Sequence, residues 1–143
     1  MMSDLFHLDV IDLISERHLM LRGKIEEYWN DNSELRVSNS EWFILAKVYK
    51  KSPTIASISK SVDITRQATH KLVKGLESKG LVEVQQAEGN KKEKTLSLTE
   101  LGIENYERYL SIKENLMNQI IATIGEEKFT ILKDILASDW KIE

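Results

Sequence analysis

Between Pro53 and Leu98 the sequence prescribes a short helix, a tight connection, a longer helix and a hairpin. Pro53-Thr54 sets the first start, with Thr54 as N-cap; Ile55, Ile58 and Ser59 follow before Ser61-Val62-Asp63 breaks the helix. Thr65 caps the next helix, which ends near Gly80, a residue suited to a left-handed C-terminal cap. On a wheel of about 100° per residue, Arg66, Gln67, His70, Lys71 and Lys74 share one arc. Ala68, Leu72, Val73 and Leu76 occupy the opposite arc. One face is basic and rich in donors; the other is built to pack. Leu81–Gln86 and Lys94–Leu98 then alternate apolar and polar residues around Gly89-Asn90, a hairpin signal.

Two helices joined by a tight turn form a helix-turn-helix, whose second helix enters the DNA major groove. Arg bridges guanine O6 and N7, and Gln pairs with adenine N6 and N7, so Arg66 and Gln67 have base-reading chemistry at the right end of that helix. The Thr65 hydroxyl and the free amides of the helix N-terminus suit a phosphate. Thr54, Thr65, Arg66, Gln67, His70, Lys71 and Lys74 are the candidate DNA-binding residues of the helix pair. His70 reads equally as a contact or a bystander on that face. Lys91, Lys92 and Lys94 at the hairpin tip complete the candidate set, reaching phosphates or the minor groove as a wing does. Glu88 and Glu93 dilute the tip, so a solvated loop is the alternative for that segment.

Charge agrees with a local polyanion footprint. The chain's net charge is -3, yet residues 41–94 hold eleven Lys or Arg against six Asp or Glu, leaving nine basic and seventeen acidic residues for the flanks. A phosphate responds to the nearby field more than to the distant total. With no cysteine, disulfides, thiolate metal sites and thiol redox sensing are excluded. The sequence contains no nucleophile elbow, no phosphate-cradling glycine loop and no HExxH pattern, so neither catalysis nor a cofactor is expected. His7 and His18 share a helix face, but a metal site needs three or four ligands, and no metal is expected. No apolar run approaches the roughly 18 residues of a membrane span, and the acidic N-terminus is unlike a signal peptide. The expectation is a cytoplasmic protein with no membrane partner.

The flanks are helical by periodicity. Phe6, Val10, Leu13, Ile14, Leu21, Ile25 and Tyr28 recur at three- and four-residue steps from Asp4 to about Asn30. Ser38 with Glu41 forms a capping-box pattern opening a helix through Trp42, Leu45 and Tyr49. After Thr99-Glu100 a helix carries Leu101, Tyr106, Tyr109, Leu116, Met117 and Ile120. A last helix after Gly125 carries Phe129, Leu132, Ile135, Leu136 and Trp140. The fold class is therefore mainly α with a small β-hairpin wing. The expected organisation is an N-terminal dimerisation helix over 1–34, a winged helix-turn-helix over 35–99 and C-terminal dimerisation helices over 100–143. The outer helices bring more apolar residues than a winged unit of about 60 residues can bury, which points to a homodimer; an enlarged monomeric core is the alternative.

The stretch from Thr54 through Val84, with LESKGLVEV leaving the helix and LSLTELG at Leu96–Gly102, resembles the MarR family of bacterial transcriptional regulators. The resemblance covers essentially the whole chain. It implies an obligate homodimer with interleaved terminal helices, bound to pseudo-palindromic operators in double-stranded DNA, with repression the expected direction. It also implies release by a small aromatic ligand held between the dimer and DNA-binding parts, where Tyr28, Trp29, Trp42 and Phe43 cluster in the sequence. Simple core packing is the other reading of those aromatics. The sequence departs from the family wing, which places Asp and Arg where this chain has Asn90 and Lys92. Lys is a point charge without the planar fork of Arg, so weaker and less selective wing contacts are expected. The rival from another class is a winged-helix module that docks a partner protein without reading DNA.

Overall fold

The structure, a computed structural model, describes residues 5–62, 64–86, 89 and 92–143. Its elements are α1 (Val10–Asn32), α2 (Asn39–Val48), α3 (Ile55–Ser61), α4 (Arg66–Ser78), β1 (Val82–Gln86), β2 (Lys94–Leu98), α5 (Glu100–Ile124) and α6 (Glu126–Ala137). They build the mainly α, winged helix-turn-helix architecture expected from the sequence. Two compact units result: Trp29–Tyr109, and Met1–Tyr28 with Leu110–Glu143. Among the described residues, no helix is long and apolar enough to cross a membrane.

Local chemistry explains most helix ends in the Trp29–Tyr109 unit. At α2 the Ser38 hydroxyl accepts from the Glu41 N–H while the Glu41 carboxylate accepts from the Ser38 N–H, closing the capping box. Thr54 caps α3 by accepting from the Ser57 N–H at 3.1 Å. Helix α4 ends in a Schellman arrangement: Gly80, at φ 75°, donates to the Glu77 carbonyl, and Leu81 donates to the Leu76 carbonyl. Positive φ is the reason a glycine stands there.

The chain then enters an antiparallel hairpin in which Val82 faces Leu98 and Gln86 faces Lys94. A bridge between Thr54 and Thr95, with the Leu96 N–H donating to the Pro53 carbonyl, ties the hairpin to the start of α3. Thr99 restarts the helical chain, its hydroxyl accepting from the Gly102 N–H and donating to the Gly80 carbonyl. Gly102 is required by packing, because a Cβ there would land on the Leu81 carbonyl oxygen.

The core of this unit is continuous. Ile44, Leu45, Val48, Ile58, Leu76, Leu81 and Leu96 are almost fully buried. An aromatic layer lies alongside: Trp29 meets Trp42 edge-on at 4.9 Å, and Tyr109 stacks on Trp42 at 4.0 Å with 11° between the planes. The Trp29 indole N–H donates to the Leu35 carbonyl at 2.8 Å, so its polar edge is satisfied.

In the other unit two helix bounds differ from the periodicity. Helix α1 starts at Val10 rather than Asp4, because the Asp9 carboxylate accepts from the Asp12 N–H at 2.9 Å and caps the first turn there. Helix α6 stops at Ala137, where the Ser138 N–H and hydroxyl both turn back onto the Asp134 carbonyl, leaving Trp140 beyond the helix. The Trp140 indole donates to the Ile135 carbonyl at 2.7 Å. Between α1 and α5, burial and the nearby Arg22 cation hold the Lys113 ammonium below its ordinary pKa.

Candidate nucleic-acid interface

Helix α4 has the two faces that the sequence prescribes. Thr69, Val73 and Leu76 are buried, whereas Arg66, Gln67, His70, Lys71 and Lys74 are exposed. The Thr65 hydroxyl oxygen accepts from the Ala68 N–H at 3.0 Å, which leaves its proton available to an acceptor outside the helix. The first intrahelical bond runs from the Thr69 N–H to the Thr65 carbonyl, so the Arg66 and Gln67 amides precede the ladder and sit at the positive end of the helix dipole. Cation, amide donors and hydroxyl are thereby gathered at one end of an exposed helix.

Two polar contacts orient this helix. The Ser59 and Thr69 hydroxyls lie 2.8 Å apart in the interior, and Thr69 donates to the Thr65 carbonyl at 3.0 Å, so Ser59 supplies the proton between the two. At the other end Lys79 meets both oxygens of buried Glu41, at 2.9 and 2.8 Å, and donates to the Arg36 carbonyl at 2.7 Å. One carboxylate thus closes the cap of α2 and anchors the C-terminus of α4. Neither pair follows from a local motif; each joins residues ten or more positions apart.

Beside α4 the wing forms the second wall of a cleft of about 280 Å³. His70, Lys74 and Glu77 stand at i, i+4 and i+7 along α4, facing Gln85, Gln86 and Lys94 of the hairpin. Ile55, Val73 and Val84 contribute apolar lining. Among the described residues, His70, Lys74, Lys94 and Glu77 make no ion pair. Gln85 and Gln86 were not among the expected site residues; their signal in the sequence is the polar pair ending the alternation of β1, and only docking of strand on helix reveals the cleft.

The remaining expected residues fall as follows. Lys92 and Lys94 are exposed on the hairpin, whereas Lys91 and Asn90 lie outside the described residues. Thr54 is half-buried and engaged as a cap and in the bridge to Thr95. Of the aromatics, Trp29 and Trp42 are buried against each other, Phe43 is half-exposed, and Tyr28 belongs to the other unit. Among the described residues, no group of three or more His, Asp or Glu could hold a metal.

Comparison with known proteins agrees with this geometry. Residues 37–94 match the model of the MarR family. No curated protein matches the chain by sequence. Among solved structures, the chain is similar to S. aureus MepR in its DNA complex, with a TM-score of 0.74 at 20% identity over 90% of this chain and 94% of that one. It is also similar to the YusO protein of Bacillus subtilis, with a TM-score of 0.65 at 21% identity over 91% and 96% of the two chains. A transcriptional regulator from Thermotoga maritima gives 0.63 at 21% identity over 87% of each chain. Residues 37–94 thus carry a winged helix-turn-helix of the MarR type, set in a fold that the chain shares with these structures along most of its length.

Proposed function

We propose that this protein is a sequence-specific DNA-binding transcriptional regulator, acting as a homodimer on a pseudo-palindromic operator and repressing the promoter it occupies. The outer face of α4 carries the reading: Arg66, Gln67, His70, Lys71 and Lys74 project from a helix whose inner face is locked into the core. Arg66 and Gln67 supply base-edge chemistry, and Thr65 with the helix amides supplies a phosphate contact. Lys71 and the wing lysines Lys91, Lys92 and Lys94 extend the electrostatic footprint. Support from a relative is specific, since MepR was solved bound to DNA. A surface for docking a partner protein would instead present an apolar patch here.

The homodimer is supported by apolar surface in the other unit. No residue of α6 is buried, and Ile131, Leu132, Ile135 and Leu136 are each more than two-fifths exposed. Val10, Ile11 and Leu19 of α1 are exposed as well. Isolated exposed apolar residues are ordinary, but this many on neighbouring helical turns require a cover. A second copy provides one and sets two recognition helices about 34 Å apart, one DNA turn. Release by a small aromatic ligand at Tyr28, Trp29, Trp42 and Phe43 rests on the family resemblance.

Selection from a random duplex library, with sequencing of the bound fraction, tests the reading. An inverted repeat with half-site centres about 10 base pairs apart is expected. A folded dimer that enriches no sequence contradicts it.

A further inference from the structure

Building on the DNA-reading role, we propose that the cleft between α4 and β1 seats one sugar-phosphate strand, the one dividing the groove read by α4 from the groove beside the wing. His70 and Lys74 approach it from the helix and Lys94 from the hairpin, around a concavity of about 280 Å³. Among the described residues neither Lys74 nor Lys94 is neutralised by an ion pair, so two like charges face each other across one opening. An anion placed there relieves that repulsion and gains two attractions at once, with the His70 imidazole beside them as a hydrogen-bonding group.

The neutral groups point to the same occupant. Ile55, Val73 and Val84 give the cleft apolar lining suited to the face of a deoxyribose, and Gln85 offers an amide donor to phosphate or sugar oxygens. A free base would need a broad flat stacking wall, and no Phe, Tyr or Trp ring lines the cleft. Glu77, one turn beyond Lys74 on the same stripe, repels phosphate and confines the strand to the His70–Lys74 end. The consequence is a change of assignment. His70, Lys74 and Lys94 do not divide between major and minor grooves; they converge on one backbone strand, with Gln85 as an additional contact.

Shared occupancy is measurable as non-additivity. The full chain and its Lys74→Ala, Lys94→Ala and doubly substituted forms are titrated with a duplex that the wild-type protein selects, over a range of salt. Each neutralised phosphate contributes about 0.9 to the log–log salt slope. If both lysines serve one phosphate, the double variant loses about 0.9 per bound protomer, against about 1.8 for two separate phosphates. Among the phosphates whose ethylation blocks the wild type on the same duplex, one position per half-site is then expected to fall silent in the double variant. Additive slopes, or interference moving between two phosphates, overturn the shared seat. If Arg66→Ala still relaxes base preference in that case, DNA reading survives alone. A wild-type protein that binds no duplex overturns both.

Discussion

Ser59 of α3 and Thr69 of α4 share a hydrogen bond of 2.8 Å in the interior of the helix-turn-helix. The Thr69 proton goes to the Thr65 carbonyl, so the pair couples the position of α3 to the first turn of α4, where Thr65, Arg66 and Gln67 lie. Thr69→Val leaves Ser59 without that acceptor, although the Ile64 carbonyl at 3.4 Å offers a weaker one. A loss of about 1–2 kcal/mol in stability is expected for either Ser59→Ala or Thr69→Val. Urea unfolding of both and of the double variant checks this: a double variant costing clearly less than the sum supports the pair, and strict additivity contradicts it.

Gly102 and Gly23 should respond to alanine in opposite directions. A Cβ at Gly102 would strike the Leu81 carbonyl, which is itself engaged by the Thr99 N–H at 3.1 Å. Gly102→Ala is therefore expected to cost about 3 kcal/mol or to prevent folding. Nothing lies within 4 Å of a Cβ built at Gly23, inside α1, so Gly23→Ala should stabilise by about 0.5–1 kcal/mol through helix propensity. Thermal melts of the two variants decide the matter. Equal effects would contradict the packing described for α5 against the hairpin.

The Glu41–Lys79 pair makes a directional prediction. Glu41 is 7% exposed, so Lys79→Met strands a buried carboxylate, while the paired change Glu41→Gln with Lys79→Met does not. The single variant should lose about 1–2 kcal/mol, less than a fully buried pair because the Lys79 side chain is 30% exposed. The double variant should recover part of that loss, which denaturant midpoints would record. An unrecovered double variant would mean that the charge pairing is not what Glu41 needs.

The Lys113 ammonium is disfavoured by burial and by Arg22, so its pKa in the fold lies below the ordinary lysine value. The unfolded chain then binds more protons across the interval between the folded and unfolded pKa, and stability must rise with pH through that interval. Melting curves between neutral pH and the lysine range should show this rise for the wild type and a smaller one for Lys113→Met. The same substitution should raise stability at neutral pH, since it removes a charge that the fold disfavours. A pH dependence identical in the two proteins would contradict the placement of Lys113.

What was legible in the sequence is what local physics decides. The Ser38–Glu41 capping box, the Thr54 and Thr65 caps, Gly80 after α4 and the alternating strands each depend on residues a few positions apart. The two faces of α4 follow from its period, and they supply the candidate base-reading residues directly. What was hidden depends on which elements meet. Nothing near Lys79 in the chain names Glu41, 38 residues earlier, and nothing in β1 announces that Gln85 faces His70 across a cleft. The start of α1 was misplaced because helical periodicity continues through Phe6, whereas the Asp9 cap fixes the helix at Val10.

Arg66 carries the central claim, that α4 reads base edges. The decisive measurement repeats the random-duplex selection with wild-type protein and Arg66→Ala in parallel at one salt concentration. A guanine preference at one position of each half-site is expected to collapse in the variant, with affinity for the wild-type operator falling by on the order of 1–3 kcal/mol. Identical selected motifs and equal affinities would contradict it.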